Sequence, residues 1–400
     1  MKWAINHMPK SDCSKTLSLM DRDNAEIVLN FHKSFPQYQE TPLVELDNMA
    51  KKLGLGKIYI KDESYRFGLN AFKVLGGSFA MAKYIASKLN KDIKDLGYNE
   101  FVGDEIKKEL GDVTFFTATD GNHGRGVAWS ANKLNQKSVV FMPKGSAQTR
   151  LNNIRAEGAE ATIVDMNYDD AVRLATEESK KVKNGVVIQD TAWEGYEEIP
   201  AWIMQGYGTM ALEANNQLKA MGEKPTHVFV QAGVGSLAGA VQGFFTNFYK
   251  DNPPIVVVVE AEIAACLYKS AAAGDGNIHN VGGDLKTIMA GLACGEANTI
   301  SFEILKDNTY AFLAAPDWVS SKGMRMLTSP LRGDQRVISG ESGAAPFGAL
   351  AAIMQYDEYA DLRKELKLDE NSKVLLFSTE GDTDPEVYES IVWDGAYPNE

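Results

Sequence analysis

VTFFTATDGNHGRGVAWSANKL, Val113 to Leu134, changes its periodicity half-way along. The first part, VTFFTAT (Val113–Thr119), is a short unbroken apolar run rich in β-branched and aromatic residues. A run of that length bounded by turn residues reads as a strand covered on both faces. From Asn122 to Leu134 the apolar spacing is helical. A strand running straight into a helix is half of a crossover unit, and the following segments repeat it. SVVFMP (Ser138–Pro143), ATIVDM (Ala161–Met166) and GVVIQD (Gly185–Asp190) are further buried-strand runs. Ala147 to Glu157 and Asp169 to Lys183 are the helices between them. Strand, helix, strand at this pitch specifies a parallel sheet, since parallel neighbours need a crossover to join them. Residues 94–194 are expected to form one small domain.

A second series lies outside it. THVFVQAG (Thr226–Gly233), IVVVVEA (Ile255–Ala261) and VLLFSTEG (Val374–Gly381) are again buried strands, and KIYIKDE (Lys57–Glu63) adds one from the N-terminal side. Leu237 to Phe248 and Ala344 to Gln355 are helical. Residues 1–93 and 195–400 therefore form a large domain, and the fold class is α/β, two domains, each an open, mostly parallel sheet flanked by helices. Ligands of such folds bind at the C-terminal ends of strands, here in the cleft expected between the domains.

Bulk properties agree. The 400 residues are 44% hydrophobic, more than one compact core usually holds. With 41 basic against 54 acidic residues the net charge is −13, which repels phosphate backbones and anionic lipid, so no nucleic-acid or membrane partner is expected. MKWAINHMPK lacks the apolar core of a signal peptide, and no apolar run is long enough to span a bilayer. Cys13, Cys266 and Cys294 are too few and too widely spaced for a disulfide framework or a CxxC metal site, which suits a reducing cytoplasm. A Cys266–Cys294 bridge stays open.

Four places could carry chemistry. GVGSLAG (Gly233–Gly239) follows a strand and opens a helix, so its glycines and helix N-terminus suit an anion such as phosphate. The spacing is neither a dinucleotide fingerprint nor a triphosphate loop, and a tight turn reads the same string equally well. TDGNHGRG (Thr119–Gly126) makes a second strand-to-helix cradle with Asn122 and His123 at its mouth, although Asp120 also suits a helix cap. Lys73, in GLNAFKVLGGSFA, has apolar or small neighbours, and an amine so placed has a lowered pKa and attacks carbonyls. A snorkelling surface lysine is the plain alternative. FSTEGDTDPE (Phe377–Glu386) puts Ser378 and Thr379 just beyond a buried strand, where a hydroxyl can bond a pyridine nitrogen.

The order of these strings, AFK, then DGNHG, then a Gly-rich loop, then Ser/Thr after the last buried strand, resembles that of the fold-type II pyridoxal-phosphate enzymes, which include threonine dehydratase, serine racemase and cysteine synthase. The resemblance runs from about Thr41 to about Pro385 and takes in TPLVEL, KDES, GLACGE (Gly291–Glu296) and SGESGAAPFGAL (Ser339–Leu350). Within the group the chain is most similar to the diaminopropionate ammonia-lyases, through FHKSFPQYQETPL (Phe31–Leu43), YRFGLNAFKVLGGSFA (Tyr65–Ala80), TATDGNHGRGVAW (Thr117–Trp129) and QDTAWEGYEEIPAWIMQGY (Gln189–Tyr207). It implies pyridoxal 5'-phosphate as cofactor, bound as a Schiff base to Lys73. Asn122 would bond its phenolic oxygen, and the backbone of Gly233, Val234, Gly235, Ser236 and Leu237 its phosphate. Ser378, with Thr379 second, would meet the ring nitrogen, and Glu341 would lie near the ring. Thr119, Asp120, Gly121 and His123 would take the carboxylate of a small amino acid. A homodimer follows from the resemblance alone.

One departure is informative. Dehydratases of the group carry a small hydroxyl residue before GNHG, where this chain has Asp120. A carboxylate suits a β-ammonium, and Asp190 adds a second one in the same domain. With Lys73 as base on one face and Asp120 on the other, both enantiomers of 2,3-diaminopropionate could react. The rival activities are serine or threonine dehydration and, with less support, sulfhydrylation. A two-lobed binding protein or inactive regulator would need no chemistry at Lys73.

Overall fold

The computed structural model describes residues 1–119 and 121–399, the side chain of residue 169 apart. Its strands are β1 (Lys2–Ile5), β2 (Leu43–Glu45), β3 (Lys57–Asp62), β4 (Thr114–Ala118), β5 (Lys137–Met142), β6 (Glu160–Ile163), β7 (Gly185–Val187), β8 (His227–Gln231), β9 (Ile255–Ala261), β10 (Ala311–Ala315) and β11 (Lys373–Ser378). They form two sheets, each within its own compact unit.

The larger unit comprises Met1–Arg22, Glu40–Asn70 and Met210–Glu400. Its sheet runs β1-β10-β9-β8-β11-β3-β2. The inner pairings are parallel, and the two outermost strands, β1 on β10 and β2 on β3, are antiparallel. Every residue of β8 is buried, as is all of β9 after Ile255, which is why these strands read as continuous Val/Ile/Phe runs rather than alternating ones. The helix Glu341–Gln355 is buried from Glu341 through Ile353, so it is a core helix without a solvent face. Glycines let it approach its neighbour Asp317–Thr328 at backbone distance: a Cβ on Gly348 would lie 1.9 Å from the Val319 carbonyl oxygen.

The smaller unit comprises Asp23–Gln39 and Ala71–Thr209, with the all-parallel sheet β6-β5-β4-β7. The sequence boundaries put residues 1–93 and 195–400 together. In the structure residues 23–39, 71–93 and 195–209 pack with the smaller sheet instead. Close packing explains this. The helix Val74–Lys88 meets the helix Asn122–Lys133 at Gly126, where a Cβ would sit 2.8 Å from the Val74 nitrogen. The helix Glu198–Ala220 crosses the same element at Gly206, where a Cβ would lie 2.4 Å from the Leu75 carbonyl oxygen. Phe31 and Phe35 bring in the N-terminal piece, packing on Phe79 and Trp129.

Cys13, Cys266 and Cys294 form no disulfide among the described residues, so the Cys266–Cys294 bridge is absent there. Among the described residues no helix is long and apolar enough to cross a membrane.

Candidate active site

Strand order locates the chemistry in each unit. In the larger sheet the chain proceeds from β8 outward through β9 to β10, and β11 lies on the other side of β8. The order therefore reverses between β8 and β11, and such a switch point opens a crevice beyond the strand ends. The Gly233–Leu237 loop leaves β8 there, and Ser378–Glu380 lies at the end of β11. In the smaller sheet the chain goes from β4 to β5 and β6, with β7 on the opposite side of β4. The Thr119–His123 loop and Asp190 occupy that second switch point.

Within the larger unit the loop after β8 enters the helix Ser236–Tyr249 through Gly235, at φ +99, a left-handed conformation that glycine adopts without strain. A Cβ at Gly235 would lie 2.8 Å from Ser301 Oγ, and one at Gly233 3.1 Å from the Gly291 carbonyl oxygen. Asn298 holds the loop twice: its N–H donates to the Val234 carbonyl at 2.7 Å and its Nδ2 to Ser236 Oγ at 2.8 Å. The first turn of a helix leaves N–H groups without intrahelical partners at the positive end of the dipole. At the end of β11, Ser378 Oγ donates to Ser339 Oγ at 2.8 Å, and Thr379 Oγ1 accepts from Gln231 Nε2 at 2.7 Å. Glu341 is buried at the start of its helix, where the neighbouring Ser342 N–H donates to Glu380 Oε1 at 2.9 Å. Gln231 Oε1 and Ser342 Oγ are buried with no hydrogen-bond partner among the described residues.

Within the smaller unit, Lys73 immediately precedes the helix Val74–Lys88, and its ammonium pairs with the Asp190 carboxylate. The lysine side chain is 20% exposed and the aspartate 8%. Burial alone would raise the Asp190 pKa, but the Lys73 ammonium, with His123, outweighs it and holds the carboxyl well below the usual range. Tyr207 lies beside this pair: its ring packs 4.8 Å from Phe72 and against Gly76, and burial pushes its phenol pKa upward. His32 anchors the lysine's helix, with Nε2 3.1 Å from the Leu75 carbonyl and Nδ1 2.6 Å from Thr209 Oγ1.

The Thr119–His123 loop is more structural than its sequence suggests. Thr119 Oγ1 accepts from the N–H groups of Gly121 at 3.0 Å and Gly124 at 3.2 Å. His123 is buried, with Nε2 2.9 Å from the Ile188 carbonyl. Asn122 begins the helix Asn122–Lys133 and stays partly exposed. Asp120 lies outside the described residues. So the structure joins Lys73 to Asp190 in one unit, and gathers the Gly233–Leu237 loop, Ser378, Thr379 and Glu341 at one end of the other.

Residues 35–380 match the model of the family described as pyridoxal-phosphate dependent enzyme. The chain is 54% identical over 381 residues to the diaminopropionate ammonia-lyase of Salmonella typhimurium, covering 95% of this chain and 94% of that one. It belongs to the diaminopropionate ammonia-lyase family. The Escherichia coli member of that family, crystallised in complex with D-serine, superposes with a TM-score of 0.90 at 44% identity, over 99% of this chain and 97% of that one. The same enzyme in complex with an aminoacrylate-PLP azomethine reaction intermediate gives 0.89 at 44% identity, over 99% and 98%.

The cofactor of this diaminopropionate ammonia-lyase family member is therefore pyridoxal phosphate. The residues present fit it. The side-chain-free turn at Gly233 and Gly235 with its helix N-terminus suits a phosphate, and the buried hydroxyls and the partnerless Gln231 and Ser342 oxygens suit a ring with polar edges. Sequence reasoning missed Ser339, Gln231, Tyr196 and Tyr207. Ser339 and both tyrosines stand in strings quoted for the resemblance, but only the fold brings them back to Ser378, Asp190 and Lys73.

Proposed function

We infer that this chain eliminates ammonia from 2,3-diaminopropionate, and that water then hydrolyses the released aminoacrylate to pyruvate and a second ammonia. The observation that carries this reading is the Lys73–Asp190 pair, an amine and a carboxylate held together at a strand-order switch in a member of the ammonia-lyase family.

Bound at Lys73, pyridoxal phosphate supplies an electron sink for the charge left when a Cα proton departs. The chain's own groups do the rest. The Gly233–Leu237 backbone would hold the phosphate, Ser378 or second to it Thr379 would meet the ring nitrogen, Glu341 would lie near the ring, and Asn122 would meet the phenolic oxygen. Lys73, once its amine is free, takes the Cα proton from one face. Asp120 takes it from the other, so both enantiomers react. Asp190 stabilises the proton once Lys73 has taken it, and offers its charge to the substrate's β-ammonium, which leaves as ammonia. Thr119, Gly121 and His123 shape the loop that receives the substrate carboxylate. The family resemblance supports a homodimer, and three cysteines without a disulfide suit the cytoplasm.

The test is pyruvate release from D- and L-diaminopropionate, serine and threonine, each measured as kcat/KM. Diaminopropionate should lead by more than tenfold. If serine or threonine matches it, the chain is a dehydratase and the reading fails.

A further inference from the structure

Asp190 is not the last residue of a strand. β7 ends at Val187 and lies at the sheet's edge, paired among the described residues with β4 alone. The chain must still cross two residues, Ile188 and Gln189, before the carboxylate, with backbone groups that one side of the sheet cannot satisfy. Ile188 keeps the ladder going, donating its N–H to the Phe116 carbonyl at 2.8 Å. At Gln189 the side chain takes over. Its Nε2 donates to the Ala118 carbonyl at 3.1 Å, and its Oε1 accepts from the Ala118 N–H at 3.2 Å and from Thr117 Oγ1 at 2.9 Å. The Gln189 backbone N–H faces the open edge and donates to the Tyr196 hydroxyl at 2.8 Å. That hydroxyl in turn donates to the Val187 carbonyl at 3.0 Å. A phenol has one hydrogen to give, which goes to Val187, while its oxygen accepts from Gln189.

The phenol reaches this place because WEGY is a tight turn. Tyr196 donates its N–H to the Trp193 carbonyl at 2.8 Å and Trp193 returns the bond at 3.3 Å. Gly195 sits between them at φ +83. The Trp193 and Tyr196 rings stack at 4.2 Å and 20°. The turn folds the chain back over the residues it has just left, so Tyr196 stands in for the missing neighbour strand.

We propose that Tyr196 is a positioning residue: its phenol closes the open edge of the strand that leads to Asp190 and so fixes that carboxylate against the Lys73 amine. This rests on the reading above, in which Asp190 serves Lys73. The other groups facing the pair in this unit are Tyr207 and His123.

The test compares Tyr196→Phe, Asp190→Asn and the double variant as full-length, cofactor-loaded proteins. The readouts are the pH midpoint of the visible absorption of the lysine-bound cofactor, kcat and KM for diaminopropionate, and the melting temperature. A carboxylate against the lysine nitrogen favours its protonated form, so removing or misplacing it moves the midpoint to lower pH. Tyr196→Phe should shift the midpoint in the same direction as Asp190→Asn, by a smaller amount. It should lower kcat about tenfold or more, with KM within about threefold. The double variant should be no worse than Asp190→Asn alone, because both act through one carboxylate. If Tyr196→Phe lowers only the melting temperature, with the midpoint and kcat of the parent, the phenol is structural and the proposal is overturned. If Asp190→Asn itself moves neither, the role of Asp190 falls and the proposal with it. Should Tyr196→Phe not fold, Gly195→Ala strains the turn while keeping the phenol, and an unshifted midpoint there overturns the proposal equally.

Discussion

The proposed mechanism gives Asp120 and Asp190 separate duties. Asp190 shares its charge with Lys73, while Asp120 precedes the GNHG string and is proposed to act on the substrate. If the two faces of the substrate have separate bases, losing one should cost one enantiomer. Asp120→Asn is expected to lower kcat/KM for D-diaminopropionate by about a hundredfold, within the range of a lost general base, and for the L-isomer by less than about tenfold. Equal losses with both isomers would end the two-base account. Lys73→Ala is expected to remove the lysine-bound cofactor band altogether. Borohydride treatment followed by peptide mapping should then find no cofactor on any lysine, and a labelled peptide elsewhere would move the attachment point.

At the level of elements, glycine decides which pieces belong together. Gly206 lets the helix Glu198–Ala220 touch the backbone of the helix that follows Lys73, and Gly76 accepts the Tyr207 ring and Ile203 at that crossing, where a Cβ would lie 2.6 Å from Ile203 Cγ2. Gly206→Ala must push the helices apart, because its nearest obstacle is backbone rather than a flexible side chain. It should destabilise the protein by about 2 kcal/mol, as overpacking commonly does, seen as a lower urea midpoint at unchanged slope. Such contacts were not legible beforehand, so the domain boundaries read from the sequence misplaced residues 71–93 and 195–209. Strands were legible where burial on both faces leaves a Val/Ile run, as in β8, β9 and β11. β10 was not, because AFLAA is rich in a residue that favours helices. β1 and β2 are too short to show a period. In the site, the Gly233–Leu237 loop could be read from the residues themselves as an anion cradle. The Lys73–Asp190 pair could not: 117 positions separate its members, and the residues themselves placed Asp190 beside Asp120, as a charge for the substrate rather than a partner of Lys73.

The larger unit hides a second set of charges, away from any role in chemistry. Lys61 bonds Glu213 at 2.7 Å, and Arg66 bonds both Glu213 at 2.7 Å and Glu63 at 2.8 Å, with all four side chains fully buried. Thr41 and Gln217 complete the cluster: Lys61 Nζ donates to the Thr41 carbonyl at 2.7 Å and to Gln217 Oε1 at 2.9 Å. Two positive and two negative charges cancel, and they tie the segment 40–70 to the C-terminal part of the same unit. Burial alone would raise the Glu213 pKa, but Arg66 and then Lys61 outweigh it and depress it. An acid whose pKa is depressed on folding contributes stability that is complete above its unfolded value, here 4.5. That contribution is lost as the pH falls through the lower folded value. Glu213→Gln should therefore cost about 3–5 kcal/mol at pH 7, the usual penalty for breaking a buried pair, and the deficit relative to the parent should shrink at pH 3. Urea unfolding at the two pH values measures this, and a deficit that stays constant would contradict it.

The outer borders of the seven-stranded sheet have a consequence for biogenesis. Lys2 pairs with Ala314, and Leu43 with Lys61, so both borders are sealed by strands translated before most of what they seal. The ribosome has to emit the whole smaller unit and most of the larger one before Lys2–Ile5 finds its partner. Until then, the opening residues wait without a mate, and β10, once made, has a bare flank. An amino-terminal fusion or trimming that delays this docking should leave nascent molecules open to pairing with one another through that flank, well before any catalytic defect could be seen.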